Sequence, residues 1–343
     1  MTRVDLTVRG AGIFGLAVAW EAARRGAKVR LIETRSIGAG SSGGPVGALA
    51  PHVPENWNAK KQFQLASLLA SEAFFASATA ASGLPTGYAR TGRLQPIADE
   101  AALALARQRS VTARDLWQGQ ARWEVIAATG DWPPAPSGFL IHDTLSARID
   151  PRRALAALVE ALRAKGAEVI LGEADNLGPT IWATGLAGLA DLSAALGRDV
   201  GGGVKGQAAA LRFEAGALPQ LFVDTVHVVP QDDGTVAIGS TSELQWQDAT
   251  GTDAQLEALI ARARAAVPAL QNAPVIQRWA GLRPRAKTRA PVLGAWPGRQ
   301  GQFIANGGFK IGFGMAAGVA RCMVDLVLEG RDTVPPAFSP ATL

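Results

Sequence analysis

The chain has very little of the residue types that build disulfides and metal centres. Its 343 residues include one cysteine, Cys322, and three histidines. A single cysteine excludes an intrachain disulfide and a cysteine metal cluster, and three histidines exclude a histidine-rich metal site. We therefore expect a reducing, cytoplasmic environment and no metal ion at the site.

Long apolar runs are also missing. The longest stretch without a charge, residues 36–54, is rich in Gly and Ser and contains three prolines, so we do not expect it to form a membrane-spanning helix. Charges at Arg3, Asp5 and Arg9 interrupt the N-terminal residues, so we expect no cleaved leader. The sequence predicts a chain that does not cross a bilayer.

Positive charge is in excess, with a net charge of +5 and a pI near 9.8. Most of it lies on predicted helices that also carry acids, which is a weak indication of nucleic-acid binding. One cluster stands apart in the segment RWAGLRPRAKTR, residues 278–289, which we interpret as a basic loop. This loop is either solvated or places a positive field over an anionic ligand.

The first residues have the pattern of a βαβ unit. An apolar strand at residues 4–8 is followed by GAGIFG, residues 10–15, then by an Ala-rich helix and a second strand that ends at Glu33. The three glycines of this motif fit the tight turn and close phosphate approach of a dinucleotide site, and Glu33 can accept from a ribose hydroxyl.

A separate β-rich part follows. Residues 221–241, LFVDTVHVVPQDDGTVAIGST, alternate apolar and polar residues around an Asp-Asp-Gly turn and predict an antiparallel hairpin. Helices are predicted at residues 151–165, 254–267 and 313–328. The predicted fold class is therefore α/β, a Rossmann-type domain combined with an antiparallel sheet.

The loop after Glu33, GAGSSGGPVGALAPH at residues 38–52, is longer than an NAD site needs. Ser41 and Ser42 can donate to phosphate oxygens, and Gly47 leaves clearance for a bulky ring. This loop favours a cofactor longer than NAD.

Several segments together resemble the FAD-dependent amino acid oxidases of the D-amino acid oxidase superfamily, most of all its glycine and sarcosine oxidases. The resemblance runs over nearly the whole chain and rests on GAGIFG, the loop at 38–52, TGRL at 91–94, ATG at 183–185, VKGQ at 204–207, GLRP at 281–284 and ANGGFKIGFGMA at 305–316. It implies that residues 1–85, 145–200 and 281–343 form the FAD-binding domain and residues 86–144 and 201–280 an interleaved substrate domain.

The resemblance also implies noncovalent FAD and a set of cofactor-binding residues. They are Gly10, Gly12, Ile13, Phe14, Gly15, Glu33, Thr34, Arg35, Ser41, Ser42, Gly47, Ala48, Leu49, Thr184, Gly185, Gly307, Gly308, Phe309, Lys310 and Gly312.

For catalysis, the resemblance implies that Arg283 of GLRP grips the substrate carboxylate, with Lys310 as a second cation and His227 near the substrate. A bidentate guanidinium suits a carboxylate, and fixing it would aim the Cα hydrogen at the flavin N5. The helix that begins near Phe313 would direct its N-terminal amides toward the flavin. A neutral amine can be oxidised by direct hydride transfer, so no general base is required.

The implied function is oxidation of a small amino acid or N-substituted glycine to an imine and then a keto acid, with O2 or another acceptor taking the electrons. Tyr88 is the only tyrosine, which argues against a typical D-amino acid oxidase pocket, and the cations from Arg285 to Arg289 favour an anionic substrate. Three alternatives stay open: a tRNA wobble-uridine modifying oxidoreductase, a D-amino acid dehydrogenase and a flavin-binding protein without turnover. We do not expect nucleic acid as the main partner, and a homo-oligomer is left open.

Overall fold

The protein was analysed as a computed structural model that describes residues 4–216 and 218–343. Its helices are α1 Ile13–Arg24, α2 Ala59–Ser82, α3 Glu100–Trp117, α4 Pro151–Ala164, α5 Gly185–Leu196, α6 Ala254–Ala266 and α7 Gly312–Glu329. Its strands are β1 Leu6–Arg9, β2 Val29–Glu33, β3 Ala48–Leu49, β4 Arg93–Pro96, β5 Trp123–Ala127, β6 Phe139–Asp143, β7 Ala147–Arg148, β8 Glu168–Leu171, β9 Thr180–Trp182, β10 Gly201–Arg212, β11 Gln220–Val223, β12 Val226–Pro230, β13 Thr235–Gly239, β14 Val275–Ala286, β15 Val292–Ala295 and β16 Gln302–Asn306.

A six-stranded sheet contains the N-terminal βαβ unit. Its order is β15-β16-β9-β1-β2-β8, and all neighbours are parallel except the β15–β16 pair. Helix α1 is buried from Ile13 to Ala23 because α7 and α4 pack on it from outside the sheet. A helix that is apolar on every side is expected in such a central position.

The second sheet has eight strands in the order β14-β10-β13-β12-β11-β4-β6-β5 and is antiparallel except between β11 and β4. Helix α6 covers one of its faces, where Leu256, Leu259 and Ile260 pack on alternate residues of the central strands such as Ile238 and Val228. Because side chains alternate along a strand, the other residues of these strands point to the opposite face. That opposite face carries the candidate site.

The predicted helices at 151–165, 254–267 and 313–328 are α4, α6 and α7, and the predicted hairpin is formed by β11, β12 and β13. The interpretation of residues 278–289 as a loop is wrong: residues up to Ala286 belong to β14, which pairs with β10 along its length. From Leu282 to Ala286 arginines alternate with apolar residues, as expected for a strand, and Pro284 hid that pattern.

Helix α2 (Ala59–Ser82) was not predicted from the sequence. By length and composition alone it could cross a bilayer, although such a test is also passed by core helices of other proteins. Its Leu65, Leu68 and Phe75 lie in the same core cluster as α1 and α7. Two of its polar side chains are also bonded inside the protein, since Gln64 donates to the carbonyl of Ala50 and Ser71 donates to that of Ser67.

The division into domains stays a proposal. The strands of the six-stranded sheet all lie in the segments proposed to bind FAD, and most of the eight-stranded sheet lies in the segments proposed for the substrate domain. Strand β14 continues past the proposed boundary at residue 281 to Ala286. Arg283 therefore stands on the second sheet.

Candidate functional site

The turn between β1 and α1 is closed by two glycine contacts. A Cβ on Gly15 would lie 1.8 Å from the carbonyl oxygen of Gly10, and one on Gly10 would lie 2.5 Å from that of Ala183. No side chain fits in either place, so the turn can be this tight only with glycine. Within the described residues, no acceptor takes the amides of Gly12, Phe14 and Gly15.

Glu33 at the end of β2 is fixed by two backbone amides. Its Oε2 accepts from the amide of Ala11 at 2.8 Å and its Oε1 from the amide of Arg35 at 2.9 Å. Each oxygen keeps a second lone pair for a ligand hydroxyl. The structure therefore orients Glu33 beside the glycine turn, with Thr34 and Arg35 exposed after it.

The Gly/Ser loop folds back on this turn. Ser41 and Ser42 lie in a single helical turn, and Ser42 Oγ accepts from the amide of Ile13 at 3.0 Å, which leaves its own hydrogen free to donate. A Cβ at Gly47 would lie 1.9 Å from the carbonyl oxygen of Ile149, so glycine is needed for packing against that backbone, and its clearance for a ring stays a prediction. Ala48 and Leu49 follow as β3, paired with β7.

Gly185 and Gly307 are held together by one amide side chain, and Thr184 directly precedes Gly185. Asn306 donates from Nδ2 to the carbonyl of Gly185 at 2.7 Å, and its Oδ1 accepts from the amide of Gly307 at 2.7 Å. Thr184 Oγ1 is buried without a partner among the described residues. A buried hydroxyl without a partner is rare in folded proteins and marks a place where a ligand can complete the bonding.

Helices α1 and α7 begin side by side. A Cβ on Gly312 would lie 3.4 Å from Ile13, and one on Gly308 would lie 2.9 Å from the ring of Phe14. Both helix N-termini therefore face the same region, where their dipoles favour negative charge. Together with the free amides and Glu33, this arrangement fits a dinucleotide pyrophosphate and ribose, and the residues predicted for FAD fit the group.

Register places the substrate-side residues on one sheet face. Trp279 pairs with Ala208, Ala208 with Gly239, and Gly239 with His227, so these four residues form a row across β14, β10, β13 and β12. Directly opposed residues in an antiparallel sheet share a face. Arg283, four residues after Trp279, lies on this face too. The small residue Gly239 lets Val46 approach this face, because a Cβ on Gly239 would lie 2.8 Å from Cγ2 of Val46.

Arg283 is 9% exposed and its guanidinium lies against a glycine. A Cβ on Gly206 would come within 1.7 Å of Nη1, and Nη1 donates to the carbonyl of Thr241 at 3.2 Å. Burial lowers the pKa of Arg283 to about 10, and the negative charge of Glu243 opposes this shift. The guanidinium is therefore charged at neutral pH and keeps donors free for an anion.

Lys310 is brought next to Arg283 by a backbone bond. The amide of Phe309 donates to the carbonyl of Pro284 at 3.1 Å, and Phe309 itself has a φ of 45°. Non-glycine residues rarely adopt this left-handed conformation, and they do so most often at functional sites. Although Lys310 is exposed as a residue, its pKa is lowered by partial burial of the amino group and then by the charge of Arg283. The backbone bond and this charge effect together place the two cations near each other.

His227 lies in the same row and is electrically neutral. Its ring packs on Phe222 with centroids 4.8 Å apart, and its Nδ1 is buried without a partner among the described residues. Burial lowers the pKa of His227 to about 3, with further contributions from Arg93 and Lys310. Near pH 7 this histidine can donate or accept a hydrogen bond, and it is not a cation.

Arg93 was missed as a site residue. It lies opposite Gln220, two residues before Phe222 on β11, and therefore faces the same side as His227. It is 6% exposed and is paired with Asp143 at 2.9 Å. The sequence contained one signal, an Arg in TGRL at a position where the neighbouring residues read as a strand.

A buried polar network stands behind Arg283. Thr241 Oγ1 donates to Glu243, and Gln207 Nε2 donates to Glu243 at 3.1 Å and to Asp253 at 2.8 Å. Lys205 Nζ lies 3.8 Å from Glu243. Since the carbonyl of Thr241 receives Arg283, this network fixes the backbone that positions the guanidinium.

Two cavities flank the site. One of about 570 Å³ lies between the loop at residues 36–43, α4 and Trp279, beside the proposed cofactor site. The other, of about 350 Å³, lies at the end of β14 and is lined by Arg285, Lys287 and Arg289. The second contains Arg285, which lies two residues after Arg283 on β14.

Comparisons with known proteins agree with this geometry. The sequence model of the family described as FAD dependent oxidoreductase matches residues 5–326. The chain is 33% identical over 141 residues to glycine oxidase of Pseudomonas aeruginosa, a match that covers 40% of this chain and 38% of that protein. It is 25% identical over 365 residues to glycine oxidase of Geobacillus kaustophilus, covering 96% and 94% of the two chains.

Among solved structures, iminodiacetate oxidase of a Chelativorans species superposes with a TM-score of 0.85 at 22% identity, covering 98% of each chain. The predicted fold class and the prediction of FAD as cofactor are confirmed. The individual site residues stay predictions.

Proposed function

Since the chain belongs to the FAD-dependent oxidoreductase family, we propose that it oxidises the amine of a small amino acid or N-substituted glycine. The relatives named as glycine oxidases support this substrate class. Bound noncovalently, FAD would accept the hydride from the substrate Cα. Its reoxidation by O2 or another acceptor, and a cytoplasmic location, stay predictions.

The observation that carries the proposal is the pair of cations. Arg283 is buried and Lys310 is joined to it through the bond between Phe309 and Pro284. A carboxylate bound between a forked guanidinium and an ammonium has little freedom left to rotate. Such a clamp determines which bond of the substrate Cα faces the cofactor ring, and orientation of this kind contributes strongly to rate.

The same cations act on the substrate amine. Positive charge nearby disfavours an ammonium group and lowers its pKa, so the clamp favours the neutral amine that can release a hydride. His227 has a pKa lowered to about 3 and therefore adds no charge next to the amine. Its Nδ1 can form a hydrogen bond to the amine or the carboxylate. The chain therefore needs no carboxylate base in contact with the amine.

In the structure, the basic segment at residues 278–289 supports a tRNA substrate less than the sequence alone suggests. Arg278 pairs with Glu257 at 3.0 Å and lies on the other face of β14 from Arg283, and Lys287 pairs with Asp199 at 3.0 Å. The cations are thus divided between two faces and partly neutralised. A continuous basic surface, which binding of a nucleic-acid backbone requires, is not formed by this segment.

The test is an anaerobic flavin-reduction screen of the FAD-loaded protein against glycine, sarcosine, proline, D-amino acids and anionic amino acids. We expect at least one amino acid to bleach the flavin. A yellow protein that none of them reduces would favour a flavin-binding protein without turnover, and copurifying tRNA would favour the modifying oxidoreductase.

The clamp itself is tested with Arg283→Ala. We expect KM to rise about 100-fold while flavin content is unchanged, since a lost charge-assisted pair costs roughly 1.5–3 kcal/mol per bond. Arg278→Ala is the matched control, because it removes an arginine from the same strand on the other face. An unchanged KM in Arg283→Ala contradicts the clamp.

A further inference from the structure

The end of β14 continues the line of cations that begins at Arg283. Arg283 and Arg285 are two residues apart and therefore share one face, with their Cα atoms roughly 7 Å apart. Their partners on β10 are Val204 and Gly202. Arg285 thus lies beside the clamp, further along the same strand.

Arg285 also shares an aromatic ring with the clamp lysine. Its Cζ lies 5.7 Å from the centroid of Phe309, and Lys310 Nζ lies 5.7 Å from the same centroid. The strained turn that positions Lys310 therefore positions Arg285 as well. This contact connects the clamp to the cavity at the end of β14.

That cavity has an excess of positive charge. It measures about 350 Å³ and is lined by the side chains of Arg285, Lys287 and Arg289, with one acid, Asp199. Lys287 pairs with Asp199, whereas within the described part of the chain Arg285 and Arg289 have no acidic partner. Cations that outnumber the acids around one space attract an anionic group.

We propose that this cavity binds a second anionic group of the substrate, a carboxylate or a phosphonate, while Arg283 and Lys310 hold the first. The inference rests on the proposed function and names its substrate class: amino acids with a second negative charge on the side chain or on the amine nitrogen. Arg285 is the specificity residue, because it lines the cavity and lies nearest the clamp along β14.

The size of the cavity agrees with such a group. A water occupies roughly 30 Å³ of liquid, so about 350 Å³ holds a carboxylate or phosphonate together with several waters. Glycine and sarcosine end at the clamp and leave the cavity unused. The enzyme should therefore discriminate between monoanionic and dianionic substrates.

The experiment compares iminodiacetate with sarcosine, because the two differ mainly by a second carboxylate on the amine. In anaerobic stopped-flow measurements of the FAD-loaded wild type, we expect iminodiacetate to have the larger ratio of flavin-reduction rate to dissociation constant. In Arg285→Ala this preference should fall by about 10- to 100-fold, with partial retention in Arg285→Lys. Arg278→Ala should keep it. An equal fall for both substrates in Arg285→Ala, or no preference in the wild type, would overturn the proposal.

A measurement of binding needs no turnover and therefore tests this proposal independently of the proposed function. Glutarate has the length of iminodiacetate with a methylene in place of the amine, and its dissociation constant can be measured by calorimetry on the FAD-loaded wild type and Arg285→Ala. Weaker glutarate binding in the variant, with acetate binding little changed, supports the subsite even if no amine reduces the flavin. Equal glutarate affinities refute it. If phosphate alone saturates the cavity without competing with iminodiacetate, the occupant is a free anion and the proposal is overturned.

Discussion

Gly206→Ala should disable the clamp without removing the arginine. A Cβ at this position would lie 1.7 Å from Nη1, 2.1 Å from Cζ and 2.2 Å from Nη2 of Arg283. Nonbonded atoms need about 3.5 Å, so the guanidinium has to move by roughly 1.5–2 Å. The obstacle is the far end of a flexible side chain, so the backbone pairing of β10 and β14 can stay as it is.

The magnitude follows from what this displacement removes. Loss of two charge-assisted hydrogen bonds at roughly 1.5–2 kcal/mol each costs about 3–4 kcal/mol, and a 1 Å misplacement near the chemistry costs about 100-fold. At 1.36 kcal/mol per factor of ten, kcat/KM for the preferred amino acid should fall roughly 100- to 1000-fold. Flavin content should be unchanged, and the melting temperature should shift by only a few degrees, because alanine is favoured over glycine in a strand.

The assay is steady-state oxidation measured together with flavin absorbance and thermal unfolding. Gly202→Ala is the matched control with sarcosine as substrate, because it lies on the same strand, a Cβ there meets nothing within 4 Å, and sarcosine does not use the cavity that Gly202 lines. Its kcat/KM should stay within about threefold of wild type, well short of the change expected for a displaced guanidinium. Wild-type kcat/KM in Gly206→Ala would refute the placement of Arg283 as the carboxylate ligand.

Further predictions concern the charges around the clamp. Lys310→Arg should keep most activity and Lys310→Met should lose about 10-fold or more in kcat/KM, because only the first keeps a cation beside Arg283; equal losses in both would contradict a charge role. His227 has a pKa lowered to about 3 when folded and near 6.5 when unfolded, so the unfolded state binds the extra proton and stability should fall as the pH drops from about 6.5 to 3. Chemical denaturation at several pH values should show a flatter profile in His227→Asn, and identical profiles would contradict a buried neutral ring. Glu243→Leu leaves Lys205 without its buried acidic partner and should lower the unfolding free energy by about 3–5 kcal/mol, whereas exposed Glu257→Leu should change it by under 1 kcal/mol.

The parts of the fold that the sequence predicted are those with local signals. The glycine turn of GAGIFG, the hairpin at β11 to β13 and the helices α4, α6 and α7 each have a turn, a cap or a strong periodicity, such as the Asp150 cap that precedes Pro151 of α4. Residues whose role depends on the register between strands could not be predicted from the sequence. Arg93 and Trp279 share a face with His227 only because strands far apart in sequence align, and Gly47 is set by the distant Ile149.

The charge balance at the site likewise depends on the tertiary structure. The sequence shows five cations between Arg278 and Arg289 but not their partners. In the structure Arg278 and Lys287 form ion pairs, whereas Arg283, Arg285 and Arg289 have no ion-pair partner among the described residues. The neutral state of His227 also follows from burial, which no local pattern reports.

The most direct test of the central claim compares a carboxylate with its amide. The FAD-loaded protein is titrated anaerobically with sarcosine, or with whichever amino acid reduces it best, and separately with the corresponding carboxamide, and flavin absorbance is followed. Binding between Arg283 and Lys310 predicts rapid bleaching by the carboxylate, reduction by the amide slower by about 100-fold or more, and loss of this difference in Arg283→Ala. Equal bleaching by the carboxylate and the amide in the wild type would contradict the clamp.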